Sequence, residues 1–463
     1  MQNEGNMNTR ISEKTSAIRW QSGPSTAPLP PLAAGLPVLG NVIELADDVL
    51  RFLTKQYHKL GPIFRIRALN ETYTVIAGRD ANLFFAREGS KHFRSKEFWQ
   101  GMDDELGAEV SLISSDGELH TRLRLLQKRG FGKAVIETQL PTVAELATKA
   151  VTQWPVGESR PVLSFIQDLV TEQLGAIIIG QGPGEYVADI RTFIRTALLV
   201  RVTRQRPGFL LYTPAYRRAK ARSLALGRKI VEDHRRNLPI NRPPNLVDDA
   251  IAAVAQGDLI KDKDLTPMAL GPYIAGLDTA SNTIAFLLYA LYKHPEVRKL
   301  VQAEAEALFA DGTPTPERLN RADVLHRTVL ETLRRYPIAP VVQRTVTQPF
   351  EFAGYRVDAG QRIFIGTTVA HFLPELHPDP YRFDIDRYLP PRNEHRTPGA
   401  FAPFSLGAHT CLGAGLAEIQ IMLTVAALIR AGQFAIDPPD YQLKTRAAPT
   451  PAPNNNFRIR RVG

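Results

Sequence analysis

Apolar residues return every three or four positions over most of this chain, and every second position in two short regions. Between about residues 80 and 333 the spacing places them on single faces of successive helices. The same spacing predicts helices over 49–59 and, late in the chain, over 412–430. Alternating runs predict strands at 63–66 and 73–77, joined by a turn near Asn70. A second strand-rich stretch falls at 341–365, punctuated by Gly354 and Gly360. No internal repeat is visible. The pattern predicts a mainly α protein with a minor β portion towards both ends of the sequence.

Two regions depart from it. The first 27 or so residues are polar and lack periodicity, and Pro24, Pro28, Pro30, Pro31 and Pro37 follow. Residues 1–30 are therefore expected to form a disordered or extended leader, and 31–463 a single domain. The apolar stretch over 266–294 contains Pro272 and Gly276, which should kink a helix or move its start; Thr266-Pro267 reads as its N-cap and first position.

Composition narrows the function classes. Hydrophobic residues make up 44% and charged residues 22%, as in ordinary folded proteins. The N-terminus carries Arg10, Lys14 and Arg19 but no apolar run of signal-peptide or anchor type, and the most apolar later run, 284–292, is short for a bilayer. No transmembrane segment and a cytoplasmic setting are expected. A single cysteine allows no intrachain disulfide and argues against zinc or iron–sulfur clusters. The net charge of +10 comes with no nucleic-acid motif and suits an acidic protein partner.

That one cysteine carries the chemistry. Cys411 lies in the run Phe404-Ser-Leu-Gly407-Ala-His409-Thr-Cys411-Leu-Gly413, where a loop meets an apolar helical stretch. A helix N-terminus favours the thiolate, the metal-binding form of cysteine. Gly407 can take the positive φ of a tight turn, and Gly413 lets a flat group approach the backbone. The spacing F-x-x-G-x-x-x-C-x-G closely resembles the haem-ligand loop of the cytochrome P450 family, the haem-thiolate monooxygenases, soluble bacterial type.

The resemblance covers 31 to the C-terminus and implies the cytochrome P450 fold, with haem b on Cys411. It implies that Ala275-Gly276-Leu277-Asp278-Thr279 is the oxygen-activating segment. In that segment Ala275 and Gly276 make room for O2, Thr279 hydrogen-bonds the bound oxygen, and Asp278 relays protons from water. It implies that Glu331, Arg334 and Arg387 form a buried network behind the haem loop, Ile385 standing where many members have proline. The haem propionates would be met by His120 and Arg124, i and i+4 on one helix, by Arg344, and by His409. Phe98, Trp99 and Met102 in the loop before His120, with Leu199, Ala275, Thr279 and Val342, would line the substrate pocket.

The implied activity is insertion of one oxygen atom from O2 into an apolar organic substrate, a lipid, terpenoid, steroid or similar. Electrons would come from a separate donor, a ferredoxin with its reductase, docking near Lys128 and Arg129. A peroxygenase or rearrangement enzyme and a haem-based gas sensor are the alternatives; the Asp278-Thr279 pair opposes the first. The basic segment 201–222 around Phe209 and Leu210 reads either as a solvated helix pair with a packed loop or as a substrate gate touching lipid.

Overall fold

The computed structural model describes residues 18–240, 242–257 and 259–463. The leader expected for 1–30 therefore lies largely outside the described residues. Its described end is partly structured: Trp20–Ser22 pairs antiparallel with Phe350–Phe352, and Ile18 and Trp20 pack on a buried aromatic cluster. Two apolar residues without periodicity gave no signal of this distant pairing.

The chain forms two compact units. The first, Met1–Ser95, Ala339–Arg382 and Asp386–Thr410, holds most of the β structure. Its five-stranded sheet runs Ile63–Ala68, Glu71–Ala77, Arg362–Gly366, Val342–Val346 and Phe93–Arg94 in spatial order. Glu71–Ala77 and Arg362–Gly366 pair in parallel, and the other neighbours are antiparallel. Strand alternation divides the apolar residues between two cores. Ile63, Ile76, Ile363 and Ile365 join Phe84, Phe93, Phe350 and Phe352, while Phe64, Ile66 and Val75 join Phe52 and Leu53. Both sheet faces are thus buried, as the strongly apolar strands require. The turns expected at Gly354 and Gly360 are present, both at positive φ.

The second unit, Lys96–Ile338, Phe383–Ile385 and Cys411–Gly463, is mainly helical. The Asp262–Lys293 helix is its spine and packs against Val162–Leu174 and Pro214–Arg236. It begins four residues before Thr266 and runs through both prolines. The Asp264 carboxylate accepts the Lys261 N–H at 3.1 Å and the Glu109 N–H at 2.7 Å. That buried cap, rather than Thr266-Pro267, fixes the start, and dense packing outweighs the cost of the missing proline donor. A small sheet of Phe434–Ile436, Arg458–Arg461 and Ser159–Pro161 ties the C-terminus to the middle of the chain.

Three stretches, Val162–Ile179, Asp262–Lys293 and Gly407–Ala431, are long and apolar enough by composition to cross a membrane, although no single uninterrupted run suggested it. Most of each is buried within the protein, which accounts for their apolar character.

Candidate active site

Between residues 264 and 293 the spine helix is buried or half-buried everywhere except at Ala275 and Thr279. These lie i and i+4, on one face, so a single accessible step opens in the middle of an otherwise covered helix. The Thr279 hydroxyl donates to the Ala275 carbonyl at 2.7 Å, leaving its oxygen as an acceptor towards the accessible side. At Gly276 a Cβ would meet Leu174 Cδ1 at 2.8 Å, so its bareness allows close helix packing.

Asp278 sits on a different face and is buried. Its Oδ1 accepts the Gln167 amide at 2.8 Å, and its Oδ2 is buried with no hydrogen-bond partner among the described residues. Burial pushes its carboxyl pKa up, against the pull of Arg446, Arg195 and Arg191 and the Gln167 hydrogen bond. A carboxyl so placed holds a proton more readily than a solvated one. Gln167 is 111 positions away in sequence, and no local pattern could have nominated it.

Cys411 precedes the Ala414–Ala431 helix, whose N-cap is Gly413. Cys411 is an exposed residue, yet burial is the largest influence on the thiol and pushes its pKa up, against Gly413 N–H and Arg124. An exposed residue whose thiol is so closely surrounded lies in a recess rather than on a convex surface. The sequence led us to expect a thiolate favoured by the helix terminus. The residue stands outside the first turn, where that effect has faded, and desolvation dominates. The preceding turn is built as expected: Gly407 has φ 73°, and Thr410 Oγ1 donates to its carbonyl at 2.7 Å. Phe404 and His409 are half-buried on this loop. A Cβ on Gly413 would meet nothing closer than Phe131 at 3.5 Å.

His120 and Arg124 share the Gly117–Lys128 helix; His120 is buried and Arg124 half-buried. Burial lowers the Arg124 pKa, and the Cys411 sulfur is near enough to raise it. The structure thus brings together Arg124 and Cys411, which are 287 positions apart (411 − 124). Arg344 is buried on Val342–Val346 and donates to the Gln343 carbonyl at 2.8 Å. A recessed sulfur, a bare glycine beside it and a partly desolvated arginine suit a flat anionic metal cofactor.

Glu331 and Arg334 are both fully buried on the Asp323–Arg335 helix. The guanidinium grips the carboxylate through two bonds of 2.8 Å, and Glu331 also accepts the Asp384 N–H at 2.9 Å. Arg387 belongs to the first unit. There it donates to Glu394 at 3.0 Å and to the carbonyls of Pro378, Asp379 and Arg382. Burial raises the Glu394 carboxyl, but hydrogen bonds from Arg387 and Arg392 outweigh it and hold the pKa below the ordinary range. Sequence reasoning passed over Glu394, whose spacing carries no signal.

The suggested pocket residues separate. Phe98, Trp99 and Met102 lie on a helix, Lys96–Leu106, not a loop. Met102 is 0% exposed and belongs to the core. Leu199 lines an open cavity of about 380 Å³. Val342 packs on the aromatic core of the first unit. In the 201–222 segment Arg201 and Lys220 both bond the buried Glu105, at 2.9 and 2.7 Å, and Arg222 bonds Asp189 at 2.6 Å. Three of its seven basic residues are therefore paired internally, while Phe209 and Tyr212 stay exposed.

The cytochrome P450 family model matches residues 30–455. The chain belongs to the cytochrome P450 family. A sterol 14α-demethylase from Mycolicibacterium vanbaalenii is 25% identical over 426 residues, covering 89% of this chain and 93% of that one. A cyclooctat-9-en-7-ol 5-monooxygenase from Streptomyces melanosporofaciens is 28% identical, covering 69% and 71%. The solved structure of retinoic acid-bound cyanobacterial CYP120A1 has the same fold, with TM-score 0.82 and 23% identity, over 94% of this chain and 99% of that one. This P450 is accordingly a haem-dependent oxidoreductase, a monooxygenase using O2 and electrons from an external redox partner.

Proposed function

We propose that this P450 hydroxylates or epoxidises an apolar organic substrate, with haem b held by Cys411. The observation that carries the reading is the accessible step of Ala275 and Thr279 on a spine helix covered elsewhere, in the same unit as the recessed Cys411. A sterol demethylase and a cyclooctatenol monooxygenase among the relatives support an apolar substrate. The cytoplasmic setting expected from the sequence remains part of the proposal.

Cys411 would ligate the iron, and Arg124, His120, Arg344 and His409 would meet the propionates. When bound, the haem supplies the oxygen chemistry, its thiolate ligand donating electron density that favours O–O cleavage. The protein's own part is proton placement. Thr279 Oγ1 accepts a hydrogen bond at the accessible step, its own proton parked on the Ala275 carbonyl. Asp278, whose carboxyl pKa burial raises and whose Oδ2 has no hydrogen-bond partner among the described residues, would relay protons towards that step.

Thr279→Ala tests this directly. Haem and substrate should still bind, while electrons are diverted to hydrogen peroxide and product formation falls by about 10²–10⁴-fold, the range for a positioned proton-transfer group. Peroxide and product are measured against electrons consumed. Unchanged coupling would remove the helix from the oxygen chemistry.

We also propose a ferredoxin as electron donor. Of the two candidate docking residues, Arg129 bonds Asp249 through Nε at 2.9 Å, so part of its charge is already neutralised. Lys128 is exposed and makes no ion pair among the described residues. Reduction by ferredoxin should slow as salt rises, because screening acts over about 10 Å at 0.1 M. Lys128→Glu should slow it several-fold more, with haem spectra unchanged. Stopped-flow reduction that ignores both salt and Lys128→Glu would place docking elsewhere.

A further inference from the structure

The 380 Å³ cavity containing Leu199 has an unusual lining for a protein expected to oxidise apolar compounds. Arg191, Arg195 and Arg206 converge on it, beside Leu199 and Leu210. The local charge is poorly compensated. Arg191 bonds Asp168 at 2.9 Å; Arg195 and Arg206 are exposed, and their side chains make no ion pair or hydrogen bond among the described residues.

A fourth guanidinium lies close by. Arg446, on the Thr445–Arg446 strand, is near enough to Arg195 for the two to repel, and near enough to Asp278 to be attracted. Its Nε and Nη2 are buried with no hydrogen-bond partner among the described residues. Asp278 forms no ion pair with any of these arginines, and its Oδ1 is taken by Gln167. Buried donors without a partner are unfavourable, and like charges near one another add to that; Arg446 neighbours Arg195 without itself lining the cavity. An anion in the cavity would offset this charge, and guanidinium forks match carboxylate and phosphate oxygens in pairs. Leu199 and Leu210 provide apolar contact for whatever carries the anion.

We propose that this cavity binds the anionic head, a carboxylate or a phosphate, of an amphiphilic small molecule whose apolar part lies on Leu199 and Leu210. Taking that molecule as the substrate rests on the monooxygenase reading; the binding site itself does not. The ligand class narrows from any apolar compound to acyl carboxylates, alkyl phosphates and similar amphiphiles. All lining residues and Arg446 lie in the second unit, as do Asp278 and Thr279.

Calorimetric titration of the holoenzyme tests the site without using turnover. Dodecanoate and dodecyl phosphate should bind at least ten-fold more tightly than 1-dodecanol. Acetate and inorganic phosphate, which carry the head alone, should bind at least a hundred-fold more weakly than the amphiphiles. Arg195→Gln/Arg206→Gln should erase the preference for acid over alcohol and leave the CO spectrum of the reduced protein unchanged. Equal binding of dodecanoate and 1-dodecanol, or a double variant that keeps the preference, would overturn the proposal. Inorganic phosphate binding as tightly as dodecyl phosphate would overturn the amphiphile and leave a free-anion site. Failure of the monooxygenase reading would show separately, as an altered CO spectrum in the wild type with calorimetry unaffected.

Discussion

Cys411→Ala is expected to abolish monooxygenase activity completely while leaving a folded protein. No second cysteine exists anywhere in the 463 residues, so no other thiolate can replace the ligand. The residue is exposed, and its replacement by alanine should cost less than about 1 kcal/mol of stability, as for other non-core substitutions. Activity with O2 and an electron donor, measured beside the thermal unfolding midpoint, checks both halves. A variant that keeps activity would show that the sulfur is not the ligand. One that fails to fold would show that Cys411 is a structural residue.

The second large effect concerns stability. Arg334→Ala removes the two guanidinium bonds from the fully buried Glu331 carboxylate. Removing one member of a buried ion pair typically costs about 3–5 kcal/mol, because the remaining charge stays desolvated after losing its counter-charge. Denaturant unfolding of the apoprotein should show that loss, and haem incorporation during expression should fall with it. Replacing both members with apolar residues of similar volume, as in Glu331→Leu/Arg334→Met, should recover part of the stability. A single variant within about 0.5 kcal/mol of wild type would mean that water reaches the pair and that it is not the rigid element its burial indicates.

Much of this molecule was legible in its sequence, and what escaped has physical reasons. The hairpin at Ile63–Ala68 and Glu71–Ala77 and the strands between 342 and 366 follow from alternation and glycine turns, which are local signals. Cys411, Gly407 and Gly413 were legible because one loop holds them at fixed spacing. The spine helix was found but its start was misplaced. A Thr-Pro pair imitates a cap, whereas the working cap, Asp264, gains its second partner from Glu109, 155 positions earlier. The thiol's raised pKa was missed for a similar reason: helix-terminus electrostatics can be read locally, and desolvation cannot. The packing of Leu174 against Gly276 was not legible, because the two are brought together only by the fold. Gln167, Glu394 and Arg446 act on residues that the sequence singled out, yet each does so through tertiary proximity that no spacing records.

The most direct test of the account is the spectrum of the reduced wild-type protein with carbon monoxide. Ligation by the Cys411 thiolate predicts the strongly red-shifted Soret band for which the family is named, lost in Cys411→Ala. A wild type that binds haem but gives only a histidine-type CO spectrum would contradict the assignment of Cys411 and the chemistry built on it.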